Sequence, residues 1–177
     1  MRIGLALAAA IGLLGPVLLA PGAARADSGP GGDRNPSCPA GEVYDARTGR
    51  CVKPQAHALP DQVLSDYSYT LIKNHRYAEA ISVLDLMENP NTAVALNHRG
   101  YATRKLGRVN EGIGYYLKSV ALDPRYAQVR EYLGEAYLVK GDAASAKAQL
   151  AAIKQICGTT CDAYQHLAVA IANPADL

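Results

Sequence analysis

The residues in this chain best suited to chemistry are four cysteines, at 38, 51, 157 and 161, and four histidines, at 57, 75, 98 and 166. Thiolates attack, exchange electrons or bind metal, and imidazoles bind metal or move protons. The stretch "CGTTC", Cys157 to Cys161, is the sharpest short motif. It has three residues between its thiols where thioredoxin-type motifs have two, and no strand–helix–strand pattern surrounds it. No neighbouring Lys, Arg or His stands out as lowering a thiol pKa. A metal site using His166 would need two further ligands, which the sequence does not place nearby. The histidines show no paired spacing, and no phosphate loop, nucleophile elbow or carboxylate pair is present. Asp85 and Glu88 share a helix face, as solvated carboxylates do. The chain therefore reads as no enzyme, with no cofactor and no metal.

Residues 1–26 read as a signal peptide: Arg2, an apolar run from Ile3 to Ala20 interrupted by Gly15-Pro16, then Ala24-Arg25-Ala26 before Asp27. The run is short for a membrane span and lacks a basic stop-transfer flank, so no stable membrane insertion is expected after cleavage. The protein is expected to be exported, to a bacterial periplasm or the cell exterior. Its charge then changes meaning. Arg2 and Arg25 leave with the leader, and sixteen basic residues face sixteen acidic ones. A neutral chain with no basic stripe interleaved with aromatics gives no footing for nucleic acid. An even set of cysteines in an exported chain makes disulfides the default, and three connectivities are open. The sequence-local pairs, Cys38 with Cys51 and Cys157 with Cys161, are expected.

Residues 27–60 form a Gly- and Pro-rich arm whose first part, "DSGPGGDRNPS", is too polar to bury a core. Glu42 to Tyr44 and Arg50 to Val52 are strand-like pieces around a Thr48-Gly49 turn, and a Cys38–Cys51 bridge would staple them into a hairpin. That hairpin is either a protease-resistant spacer or a small knob that recognises a glycan, cell wall or partner.

From Asp61 the pattern is helical, with helices expected at 61–73, 76–88, 93–106, 109–122, 127–140 and 143–156, and a seventh in "DAYQHLAVAIAN". Gly100 and Gly134 lie 34 residues apart, as do Gly107 and Gly141, Tyr116 and Leu150, and Gly112 and Ala146. A copy at 127–160 carries Leu133, Gly134, Tyr137, Gly141, Ala146 and Leu150. One at 93–126 carries Leu96, Gly100, Ala102, Gly107, Tyr116 and Asp123-Pro124, and departs at Arg99 and Thr103. One at 61–92 keeps Tyr77, Ala80 and Leu84 but has Ser68 in place of Gly, and Pro90 comes two residues early. This period and these residues resemble the tetratricopeptide repeat. The resemblance implies an all-α helix-turn-helix solenoid of three repeats, with residues 161–177 as cap helix and tail. Leu167, Val169 and Ala170 are expected to cover the third repeat, and Thr159 or Thr160 to cap the last helix. Gly100 with Gly112, and Gly134 with Ala146, would let the two helices of a unit approach closely. Gly107 and Gly141 would end first helices in a left-handed turn.

The resemblance also implies a groove lined by the first helix of each pair. Its positions map to Ser65 and Tyr69, then Asn97, Tyr101 and Arg104, then Gln128, Glu131 and Glu135. There Asn97 would hold a peptide backbone, Tyr101 would offer a flat contact and Arg104 would pair with a carboxylate. Glu131 and Glu135 stand against the chaperone-tail specificity that some members of the family show. The expected role is a non-catalytic protein-interaction module or scaffold whose partner is a protein or peptide. The alternatives are a thiol-disulfide or metal-handling factor using Cys157 and Cys161, and a wall- or glycan-binding protein using the Cys38–Cys51 loop.

Overall fold

The computed structural model describes residues 36–54 and 59–176. The leader and the first part of the arm lie outside the described residues. The described chain begins with a two-stranded antiparallel hairpin, β1 (Val43–Asp45) and β2 (Arg50–Val52), in which Tyr44 faces Cys51. β1 sits one residue later than expected, because the Asp45 carboxylate takes the Arg47 N–H at 3.0 Å and closes the turn there. Cys38 and Cys51 are bridged, with Cα atoms 5.7 Å apart.

Seven helices follow: α1 (Asp61–Lys73), α2 (Tyr77–Leu84), α3 (Ala93–Lys105), α4 (Val109–Leu122), α5 (Ala127–Val139), α6 (Ala143–Cys157) and α7 (Asp162–Ala172). They pack in sequence as α1 on α2, α3 on α4 and α5 on α6, with the first helices also touching one another. The hairpin is part of this core. Val43 and Cys38 are buried with Leu64, Tyr67 and Leu71, the Tyr67 hydroxyl accepts the Cys38 N–H at 2.9 Å, and Arg76 donates to the Cys38 carbonyl.

Each first helix ends in the same turn. Gly107 and Gly141 take φ of +84° and +78°, and the N–H groups of Arg108 and Asp142 reach back to Thr103 and Tyr137. That is the left-handed helix stop expected of glycine. The equivalent turn after α1 has His75 at φ +59°, with Arg76 N–H bonded to Leu71. A side chain there costs about 1–2 kcal/mol that glycine does not.

The structure corrects three expectations and adds a contact. α2 stops at Leu84 instead of 88, because the Asp61 carboxylate takes the N–H groups of Glu88 and Asn89, both at 2.8 Å, and pulls that segment out of the helix. No threonine caps α7: Cys161 precedes the helix, tied to Cys157, and its carbonyl accepts from Tyr164 and Gln165. Gly134 has a close neighbour on α7 that the sequence did not suggest. A Cβ there would lie 2.6 and 2.7 Å from the two methyls of Leu167 on α7. Val169, expected to cover the third repeat, points outward at 62% exposure, whereas Leu167 and Ala170 are buried. Ala163, Leu167 and Ala170 each stand 34 residues beyond a buried residue of α5, namely Val129, Leu133 and Ala136. That spacing gives α7 the register of a first helix, and Val169 falls between its packed positions.

The Gly100–Gly112 expectation matches the structure. A Cβ on Gly112 would lie 2.9 Å from the Gly100 carbonyl oxygen and 3.1 and 3.2 Å from the Cβ and N of Arg104. Among the described residues no helix is long and apolar enough to cross a membrane.

Candidate functional site

The face shared by α1, α3 and α5 carries a run of rings. The ring of Tyr77, at the start of α2, lies 5.9 Å from His75 and 6.4 Å from Tyr101, and Tyr101 lies 4.8 Å from Tyr132, edge to face. Edge-to-face pairs at these separations contribute about 0.5–1.5 kcal/mol beyond burial. Tyr69 stacks on the His98 ring at 5.5 Å. A pocket of about 280 Å³ opens on this face, lined by Tyr69, Ile72, Lys73, His75, Tyr101 and Tyr132. The helical spacing explains the lining: Tyr69, Ile72 and Lys73 fall on one face of α1, and Tyr101 and Tyr132 face it from the next two first helices.

The groove residues named from the sequence divide into two groups. Tyr69 is 41% exposed and Tyr101 half-buried, and both line the pocket. The polar ones are largely spent on the fold. Asn97 is buried and donates to the Tyr126 hydroxyl at 3.1 Å; that hydroxyl donates to Gln128, whose amide donates to Tyr132 at 3.2 Å. Arg104 is buried and pairs with Glu135 at 2.7 Å, its guanidinium 5.2 Å from the centre of the Tyr101 ring. Ser65 is buried as well. The structure thus gives Asn97 and Arg104 partners inside the chain where the sequence suggested outside ones.

Glu131 is buried on α5, and its carboxylate meets His166 of α7 at 3.1 Å. Burial pushes its carboxyl up to about 7, the His166 hydrogen bond pulling it back and Glu135 and Asp162 adding to the rise. Tyr132 is pushed up by burial, with Glu131 beside it. His98, unassigned from the sequence, is a core group: burial holds its imidazole down to about 4, and its Nδ1 lies 3.0 Å from the Ser68 hydroxyl. Its i−30 partner on the preceding first helix was the missing signal, since a Ser at the glycine position has room to receive it.

Cys157 and Cys161 are bonded to each other across the α6–α7 turn, Cα atoms 6.1 Å apart. The described residues contain no cluster of three His, Cys, Asp or Glu positioned for a metal ion. Behind the hairpin a second cavity of about 380 Å³ is lined by Ala40, Val43, Leu71, Val83 and Leu86 among others; of its two acids, Glu42 and Glu79, Glu79 is held by Arg76 at 2.7 Å.

No protein-family profile and no curated protein matches the chain. Solved structures do. MamA is 20% identical with a TM-score of 0.55, over 65% of this chain and 68% of that one. SycD, the type III secretion translocator chaperone of Yersinia enterocolitica, is 15% identical with a TM-score of 0.55, over 66% and 86%; it is also solved in complex with a peptide of the translocator YopD. YrrB, a tetratricopeptide-repeat protein with an unusual peptide-binding site, is 18% identical with a TM-score of 0.50, over 66% and 61%. At these identities the likeness is one of fold. With seven helices paired at a 34-residue register, the chain has the fold of the tetratricopeptide-repeat solenoid.

Proposed function

We propose that the chain is an exported, non-catalytic interaction module that holds a segment of a partner protein on the face of α1, α3 and α5. The observation that carries this reading is the ring-lined pocket of about 280 Å³, to which three successive first helices contribute and which the described residues leave open. Flat, half-exposed tyrosines give contact area at little entropic cost, as interface anchors do. SycD with its YopD peptide and YrrB with its peptide site support the analogy at the level of fold. Export follows from reading residues 1–26 as a cleaved leader, and the two disulfides accord with an oxidising compartment. The working units on this reading are 61–92, 93–126 and 127–160, with the hairpin packed on the first and 161–177 on the last.

The test is crosslinking capture with the mature chain against a Tyr69→Ala, Tyr101→Ala variant. Arg104 is left intact because it holds α3 to α5. Circular dichroism checks that the variant is folded. Partners captured by the wild type and lost from the folded variant support the groove; the same partners captured by both would refute it.

A further inference from the structure

The pocket is electrically one-sided. Its lining holds the cation Lys73, the imidazole of His75, and no acid. The acids further along the face are already engaged: Glu135 by Arg104 at 2.7 Å, and Glu131, buried, by His166 at 3.1 Å. Lys73 is exposed and makes no ion pair among the described residues. The charge offered to the pocket's occupant is therefore positive.

The second observation comes from the backbone. In the α3–α4 and α5–α6 turns the left-handed position is glycine, at φ +84° and +78°; in the α1–α2 turn it is His75 at +59°. A glycine there would hold the same turn without strain. The histidine is instead kept where its ring borders the pocket, its Nδ1 2.7 Å from the Tyr77 hydroxyl. Backbone strain retained at a cavity wall points to a use for the side chain.

We propose that the α1 end of the groove holds an acidic side chain of the partner segment between Lys73 and His75, with an apolar neighbour of that side chain lying on the rings of Tyr69, Tyr101 and Tyr132. The proposal rests on the groove reading above and gives its occupant a chemistry. The carbonyl end of α1 carries partial negative charge, so the acid is held by the two side chains and not by backbone groups. The carboxylate belongs to an Asp or Glu within the segment, not to a chain terminus.

The experiment is selection of phage-displayed random 12-residue peptides on the mature protein, followed by affinity measurements on amidated synthetic copies. Enriched peptides are expected to carry Asp or Glu beside a large apolar residue. Changing that acid to Asn or Gln should weaken binding about tenfold, the scale of one charge-assisted contact. Lys73→Ala and His75→Gly should do the same, while His75→Gly melts no lower than the wild type, because glycine suits the turn. Enriched peptides that are neutral or basic, or that bind the His75→Gly and Lys73→Ala variants undiminished, overturn the proposal. If such peptides still lose binding to Tyr101→Ala, the groove reading stands and only the charge assignment falls. Binding indifferent to Tyr101→Ala sinks both. An affinity that needs the free C-terminal carboxylate, measured against the amidated peptide, overturns the choice of a side-chain acid.

Discussion

Gly112 and Gly114 lie two residues apart in α4, and the structure assigns them opposite roles. Replacing either by Ala gains the same helix propensity, about 1 kcal/mol, so that contribution cancels when the two variants are compared. A Cβ on Gly114 meets nothing within 4 Å. A Cβ on Gly112 meets backbone: the Gly100 carbonyl oxygen at 2.9 Å and the Arg104 nitrogen at 3.2 Å. No rotamer change relieves a contact between two backbones, so α3 and α4 would have to separate. Their separation loosens the packing of Tyr116, which is fully buried against this crossing and whose ring lies 2.7 Å from where a Gly100 Cβ would sit. Overpacking of this kind costs about 1–3 kcal/mol. Gly114→Ala should therefore melt above the wild type, and Gly112→Ala about 2–12 °C below Gly114→Ala, at about 2–4 °C per kcal/mol for a chain of this size. Thermal melts followed by far-ultraviolet circular dichroism read the difference directly. A Gly112→Ala protein that melts with or above Gly114→Ala would show that the helices are not in backbone contact, and the account of the 34-residue glycine pattern would fall with it.

Two further predictions concern the groove. The Glu131 carboxyl is raised above its usual range by burial, so between about pH 4.5 and 7 the folded chain binds a proton that the unfolded chain has lost, and stability falls as pH rises through that window. Urea midpoints measured from pH 5 to 8 should drop less for Glu131→Gln than for the wild type, and equal slopes would contradict the assignment. Arg104→Met removes the partner of Glu135, which is 17% exposed in its side chain, and should cost about 1–3 kcal/mol. Adding Glu135→Gln should restore most of the loss, as a double-mutant cycle in denaturant would show.

The helical register was legible because periodic glycines and alanines record backbone proximity directly. Gly100, Gly107, Gly112 and Gly141 were each readable as a close approach or a left-handed turn, and the structure places them so. The local cysteine pairs were legible for the same reason: little chain separates them. What sequence could not show was which neighbour fills a space. Gly134 makes room for Leu167, 33 residues away and beyond the repeat to which Gly134 belongs. α2 is shortened by the carboxylate of Asp61, 27 residues upstream of Glu88. In the groove, the resemblance to the tetratricopeptide repeat mapped Tyr69, Asn97, Tyr101 and Arg104 to one face, but could not say that Asn97 and Arg104 are turned to Tyr126 and Glu135 while the tyrosines stay accessible. Side-chain polarity alone does not distinguish a group offered to a ligand from one offered to the next helix.

The placement of α7 makes the array a modular grammar. α7 meets α5 at Leu167, and its buried positions Ala163, Leu167 and Ala170 repeat the register that α5 itself carries in Val129, Leu133 and Ala136. The surface that receives the last helix is thus already the surface that could receive another α5. A duplicate of residues 127–160, spliced in after Thr160, would present to α5 the leucine that Leu167 now supplies and to α7 the glycine that Gly134 now supplies. The new junction differs from the present one at a single point: the first Cys157 would be followed by Ala127 where Cys161 stands, and would lack its disulfide partner. An engineer could treat this chain as a ruler with interchangeable divisions.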